Sequence, residues 1–512
     1  MFGSPAKVGP ASDLRQINYF LMKTNRTIIL LLVIFWGCSA PEKYDVLIKN
    51  GQIFDGSGLA PFTGDIGINA DTIVKIGSLK NERGRLEIDA KGLAVAPGFI
   101  NMLSWANESL IADGRSQSDI RQGVTLEVLG EGESMGPLNN KMKKELIRQQ
   151  TDIKYDINWK SLGEYLDYLE KKGVSPNIAS FVGAATLRIY TIGYEDRSPT
   201  GIELDSMKLL LRQAMEEGAL GISSALIYAP GSFAKTDELI ALCKEAAKYD
   251  GIYISHIRNE GNRLLESIDE WAKRLQNPLI REKVIQDMRN PAGDWENYLK
   301  SAGSAENILL VGFKNDTLKY LTGKTLAEVA KMRKKSPEET AMDLVIQDGS
   351  RVGTVYFLMS EDNVRKQIAL PWISLGSDEG SYAPEGVFLK SSCHPRAYGN
   401  FARLLGKYVR EEKIISLEKA IYKLTALPAT NLKIKKRGAI KAGYYADLAI
   451  FDPVRIQDHA TFENPRQYST GMVDVFVNGI QVLKDGEHTG ELPGRVIRGP
   501  GWKFNKTKIN VL

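Results

Sequence analysis

The chain carries four histidines among 512 residues, so imidazole chemistry has few places to sit. His256 lies near the end of the apolar run 251–258 (GIYISHIR), and Asp378 closes 372–378 (WISLGSD). An imidazole or a carboxylate at a strand end can ligate a divalent cation or move a proton. Glu131 and Glu133 flank Gly132 in the polar end of GVTLEVLGEGES. Hard oxygen ligands of this kind bind divalent cations; the alternative is a turn bearing two solvated acids. His256 reads alternatively as a buried, hydrogen-bonded imidazole, and Asp378 as a turn or cap aspartate after Gly-Ser. His394 precedes Pro395, which places it in an extended or turn segment, and it reads as a loop residue that fixes Arg396, the alternative being a metal ligand. Cys393 and His394 are adjacent and so point apart, which argues against a nucleophile–base pair. There is no G-x-S-x-G elbow and no glycine-rich phosphate loop. His459 and His488 read as surface residues.

These groups need a scaffold that brings strand ends together. Strand-like stretches at both ends of the chain (44–51, 64–68 and 72–76; 438–440, 446–452 and 475–479) flank a middle of alternating strands and helices. The middle supplies apolar runs at 93–103, 123–132, 177–187, 218–227, 251–258 and 372–378, with helical patterns such as 205–217 and 235–249 between them. This order predicts an α/β protein: a TIM-like β/α barrel over 93–430, plus a small β-sandwich built from 44–92 and 431–512. Glu131, Glu133, His256 and Asp378 then fall at the C-terminal strand ends, where barrels carry reacting groups. Two further apolar strands, 308–313 and 355–359, have no assigned place.

Hydrophobic residues make up 43% of the chain, enough for a large core, and the net charge of +5 is spread over mixed acids and bases. No basic block with interleaved aromatics occurs, which excludes nucleic acid as an expected partner. Of the three cysteines, Cys243 reads as a helical core position and Cys38 lies in a leader, so no disulfide framework is supported. The leader follows an upstream extension. It has a basic start (Met22–Arg26), a nine-residue apolar run from Ile28 to Trp36, then Gly37-Cys38-Ser39. That run is far short of the ~20 residues of a spanning helix. The pattern over 1–38 resembles a bacterial lipoprotein signal, with Cys38 as the lipidated residue. It predicts an exported protein whose membrane contact is confined to that anchor.

Several motifs together resemble the N-acyl-D-amino-acid deacylases (D-aminoacylases) of the amidohydrolase superfamily. They are Val95–Ile100 (VAPGFI), Gly218–Ser223 (GALGIS), Leu226–Gly231 (LIYAPG), Ser255–Gly261 (SHIRNEG), Gly376–Asp378, His394–Gly399 (HPRAYG) and Gly443–Pro453 (GYYADLAIFDP). The match runs from about Tyr44 to Lys484. The resemblance implies hydrolysis of the amide bond of an N-acyl amino acid or related small amide, with zinc or another divalent metal at the barrel mouth. It implies His256 as a metal ligand, with Glu131 or Glu133 as a substitute carboxylate ligand. It implies Asp378 as general base and then acid, and Tyr228, Arg258 and Arg396 as residues that orient the substrate. A guanidinium fork suits a carboxylate.

Three departures from the family pattern stand out. Leu103 and Trp105 occupy the positions of a His-x-His metal pair, and neither side chain offers a lone pair to a cation. Gly132 occupies the place of a cysteine or other bridging ligand. After Glu270 the chain passes directly to Trp271, so two barrel units are missing near 267–272, at about 30 residues each. The alternative reading is therefore a truncated, catalytically silent family member with a binding role. A third is metal-free amide or ester chemistry using Asp378 alone.

Overall fold

A computed structural model describes residues 43–256, 275–290, 297–350 and 352–503. Cys38, Arg258 and the junction near 267–272 lie outside them.

Strands from both ends of the chain join one continuous nine-stranded sheet. Tyr44–Ile53 pairs antiparallel with Phe62–Asn69, in a register that sets Val46 opposite Ile68 and Ile48 opposite Ile66. It also runs parallel to Gly84–Asp89 and, at its far end, to Ala94–Pro97. Ala94–Pro97 is the seam: it pairs antiparallel with Leu448–Phe451, which carries the C-terminal strands Met472–Val477, Ile480–Lys484 and Glu487–His488. Ile48, Ile53, Ile66, Val95, Ile450 and Phe476 form one buried core across the seam. Burial of such branched side chains, at about 25 cal/mol per Å2 of apolar area, is what holds the two ends of the chain together. His488 is half-buried and shares a 3.0 Å hydrogen bond with Ser175, so the expectation of a surface residue is corrected for it. His459 is exposed.

The middle of the chain forms a parallel run. Phe99–Asn101, Val124–Leu129 and Asn177–Ser180 pair in that order, and Val182–Gly183, Gly221–Ala225 and Ile252–His256 continue it. Helices between the strands have sequence-coded starts. Leu162–Lys172 opens on the capping box Ser161/Glu164, and Gly201–Glu216 opens on Thr200/Glu203. Their apolar faces bury Leu166, Leu169, Leu211 and Met215 against Ile178 and Ile222. The third strand ends at Gly183, and Ala184–Thr191 is a helix, so the expected strand to Leu187 stops early. The reason is local: a Cβ on Gly183 would sit 2.3 Å from the Gly132 carbonyl, so the chain turns where two backbones meet.

Residues 372–378, expected as a closing strand, run beside the first strand without regular strand pairing. Asp378 N–H donates to the Leu103 carbonyl at 2.9 Å and Trp105 N–H to the Glu379 carbonyl at 3.0 Å. Just before these, the Asn101 side chain stands in for backbone: its Oδ1 accepts from Ser377 N–H at 2.9 Å and its Nδ2 donates to Ser377 Oγ at 2.8 Å. Gly376 permits the approach, because a Cβ there would lie 2.7 Å from the Leu103 nitrogen.

The two unplaced strands do not extend the parallel run among the described residues. Ile308–Gly312 and Gly353–Tyr356 pair antiparallel with each other. They sit over a separate core of Leu310, Phe313, Leu321, Val329 and Leu344. Ile252–His256 is therefore a terminal strand of the run among the described residues, and its Tyr253 side chain is exposed.

Candidate active site

The seam between first strand and last segment places Asp378 beside Trp105. Asp378 has φ of 49°, a left-handed conformation that costs a non-glycine residue of order 1 kcal/mol and is seen mostly where function or packing fixes it. Trp105 Nε1 donates to Asp378 Oδ1 at 2.9 Å. Arg396 Nη2 lies 2.8 Å from Asp378 Oδ2 and donates to the Asp378 main-chain carbonyl at 2.6 Å. Both carboxylate oxygens are thus engaged by donors, and the Arg396 charge is largely matched by Asp378. The Arg396 Nε is buried without a hydrogen-bond acceptor.

His394 shapes this corner. Its Nδ1 accepts from Arg396 N–H at 3.1 Å, and its own N–H donates to Glu379 Oε1 at 3.0 Å. Burial, and then the nearby Arg396 charge, pull the His394 pKa down to about 4, so the imidazole is neutral and able to accept. Burial pushes the Glu379 carboxyl above its usual range.

A second group forms at the C-terminal ends of two other parallel strands. His256 Nδ1 lies 3.7 Å from Glu131 Oε1, with both side chains mostly buried. The Tyr228 ring meets the His256 ring edge-on with centroids 5.6 Å apart. Tyr228 itself is exposed. Gly132, between the two glutamates, has φ of 70°, and a Cβ there would lie 2.4 Å from the Ala225 Cβ. This backbone has no room for a side chain at that position, so a cysteine ligand is sterically excluded.

Glu133 belongs elsewhere. It lines a cavity of about 390 Å3 whose wall also includes Trp105, Met135, Phe388, Tyr398 and Arg466. Of the residues singled out from sequence, Asp378 and Arg396 come together, His256, Glu131 and Tyr228 come together, and Glu133 faces the cavity. Sequence reasoning missed Asn101, the donor role of Trp105, and Arg466. Asn101 was detectable as a lone amide inside the apolar run VAPGFINML; nothing local marks Arg466.

The sequence matches an amidohydrolase family over residues 311–483. Across 90% of its length the chain is 31% identical to D-aminoacylase from Alcaligenes xylosoxydans xylosoxydans, covering 98% of that protein. It is 32% identical to N-acyl-D-aspartate deacylase from the same organism, again over 90% of this chain and covering 96% of the relative. Among solved structures, N-acyl-D-glutamate deacylase from Bordetella bronchiseptica, bound to zinc and a phosphonate mimic of the tetrahedral intermediate, superposes with a TM-score of 0.73. That match is 27% identical and covers 90% of this chain and 100% of the other. A crystal structure of D-aminoacylase superposes at 0.72, with 29% identity over 89% of this chain and 100% of the other. The chain belongs to the amidohydrolases and, within them, to the N-acyl-D-amino-acid deacylases. D-aminoacylase itself has a binuclear metal centre.

Two ligands bound tetrahedrally at about 2.0–2.2 Å sit roughly 3.3–3.6 Å apart. The 3.7 Å between His256 Nδ1 and Glu131 Oε1 fits joint coordination of one ion. Among the described residues no three His, Cys, Asp or Glu side chains are grouped to hold a metal ion, so Asp378 is not part of the same donor set. The described side chains thus furnish part of one coordination shell, and Leu103, Trp105 and Gly132 add no donor to a second.

Proposed function

We propose that this chain hydrolyses the amide bond of an N-acyl amino acid or a related small amide. The observation that carries the reading is the Asp378–Arg396 pair beside the first parallel strand, in a chain that aligns with deacylases over 90% of its length. We read the parallel run and closing segment as a shortened β/α barrel, with the site at the C-terminal ends of its strands. Glu131 and His256 would hold one divalent cation, zinc or another, which when bound polarises the scissile carbonyl.

The remaining work falls to the chain's own groups. Asp378 is the proton carrier: a carboxylate aimed by two donors can take a proton from attacking water and return it to the leaving nitrogen. Trp105 fixes Oδ1 and Arg396 fixes Oδ2, so the carrier is oriented before substrate arrives. Tyr228, exposed beside His256, offers a hydroxyl to the substrate from the opposite side.

The test uses the full chain, its metal content and a panel of N-acetyl-D-amino acids. About one metal per chain, reduced in His256→Ala and Glu131→Gln, with turnover abolished in Asp378→Asn, is the expected result. Turnover at wild-type rate in Asp378→Asn would remove Asp378 as carrier. A folded chain that turns over none of the panel would overturn hydrolysis. The engagement of both Asp378 oxygens favours a binding role in that event. Turnover without any bound metal would assign the chemistry to Asp378 alone.

A further inference from the structure

We propose that Arg466, together with the Tyr398 hydroxyl, anchors the carboxylate of an N-acyl amino acid in the cavity beside Trp105. The inference rests on the proposed function and adds to it the residue that selects an acid over its neutral counterpart.

The first observation is that Arg466 lacks a counter-ion. Its Nη2 donates to the main-chain carbonyls of Leu389 and Ser391, and no carboxylate lies within ion-pair distance of it among the described residues. Its Nε is buried and has no acceptor. Two carbonyls orient a guanidinium but do not neutralise it. A half-buried, uncompensated arginine on a cavity wall is a site prepared for an anion, and its planar fork suits a carboxylate.

The second observation is independent. Tyr398 is 1% exposed, and its hydroxyl is buried with no hydrogen-bond partner. Buried hydroxyls are nearly always satisfied, so an orphan one calls for a missing acceptor. Both residues line the same cavity. One bound carboxylate could accept from both.

The acidic groups on the cavity wall do not oppose this. Asp152 is already paired with Lys319 and accepts from Ser391 Oγ. Glu108 accepts from the Tyr155 hydroxyl at 2.8 Å, and burial drives its carboxyl toward the neutral form. Glu133 is the third acid on the wall, next in the chain to Ser134. Arg396 is the competing cation, but Asp378 already matches its charge at 2.8 Å. The wall between these poles is apolar, with Met135, Leu146 and Phe388 available to an acyl or aliphatic side chain. Trp105 lines the cavity and also bonds Asp378, so the cavity reaches the indole that orients the proposed proton carrier, while Asp378 itself is not on the wall.

The test is equilibrium binding by calorimetry on the full chain, with a non-hydrolysable isostere of N-acetyl-D-leucine (a methylene in place of the amide N–H) and the primary amide of that isostere as probes. Wild type is expected to bind the acid at least about tenfold more tightly than the amide, the scale of a charge-assisted bidentate pair. Arg466→Gln should bring the two affinities within about twofold. Tyr398→Phe removes a hydroxyl that has no protein partner, so it should fold as wild type while losing severalfold affinity for the acid and none for the amide. Equal affinity for both probes in wild type, binding of neither, or a preference that survives in Arg466→Gln overturns the proposal. If Arg466→Gln fails to fold, unchanged acid affinity in Tyr398→Phe overturns it. Binding is read without turnover, so an inert chain that still prefers the acid through Arg466 contradicts the hydrolytic reading only.

Discussion

Asp119 sits beneath the candidate site, fully buried against Glu127, with Asn101 Nδ2 at 3.5 Å from its Oδ2. Glu127 is the better-served partner: Asn101 Nδ2 donates to it at 3.1 Å and Ser116 Oγ at 3.2 Å. Asp119 Oδ1 has no partner. Two carboxylates side by side in a dry interior do not both ionise, so the folded pair holds a proton, and the donor pattern puts it on Asp119. Burial first, and then the Glu127 charge, push the Asp119 carboxyl well above its ordinary value of 3.8. A pKa raised by folding contributes stability in full below the unfolded value, and that contribution is lost as pH rises toward the folded one. The loss is about 1.4 kcal/mol per pH unit for one proton.

Asp119→Asn removes the proton requirement while keeping shape, and its amide can donate to Glu127. Other titrating groups are common to both chains and cancel in the difference. Urea unfolding of wild type and Asp119→Asn, compared from pH 5 to 9, should show the variant gaining on wild type by about 1.4 kcal/mol per pH unit. The gap stops widening at the pH that equals the folded pKa of Asp119. Two parallel stability profiles would refute the reasoning, because they would mean that folding takes up no proton at this pair.

Three further outcomes are expected. Gly132→Ala places a Cβ at 2.4 Å from Ala225 on a left-handed backbone, and should destabilise by about 2–4 kcal/mol, read as a lowered thermal midpoint; an unchanged midpoint would show that the turn can relax. Burial, and then the Glu379 charge, push the Cys393 thiol up to about 12. At pH 8 iodoacetamide should therefore modify native Cys393 at least about a hundredfold more slowly than free cysteine, as followed by peptide mass spectrometry, because only the thiolate reacts. We also propose lipidation at Cys38: a radiolabelled fatty acid should enter the expressed chain and be lost in Cys38→Ala, and an unlabelled parent chain would remove the anchor.

Much of the fold was written in local patterns. The strand read at 44–51 lies within Tyr44–Ile53, and the helical patterns at 205–217 and 235–249 fall largely on Gly201–Glu216 and Thr236–Ala247, because each depends on neighbours in sequence. The end of the third strand at Gly183 was not legible, because it is set by the backbone of Gly132, some fifty residues away in sequence. The closing segment was half legible. Its apolar run and terminal Asp378 stood out, but its irregular pairing depends on an amide side chain, Asn101, on another strand. Pairing rules read from one segment cannot foresee a side chain that replaces the partner's backbone.

The same distinction separates what was seen of the site from what was missed. His256, Glu131 and Asp378 carry rare or charged groups at strand ends, so their chemistry is visible residue by residue. Leu103 and Trp105 could be read only as losses, since a sequence shows that an imidazole is gone and not what replaces its function. The structure shows what stands there: an indole N–H 2.9 Å from the Asp378 carboxylate. A donor at that position fixes one carboxylate oxygen in direction but cannot polarise a carbonyl. On the proposed function, Trp105 takes over only the orienting part, and the electrophilic part would fall to a cation held by His256 and Glu131. Restoring only one side of that division, as in Trp105→His, should consequently free Asp378 without assembling a second metal site, because Leu103 and Gly132 still bring no donor to it.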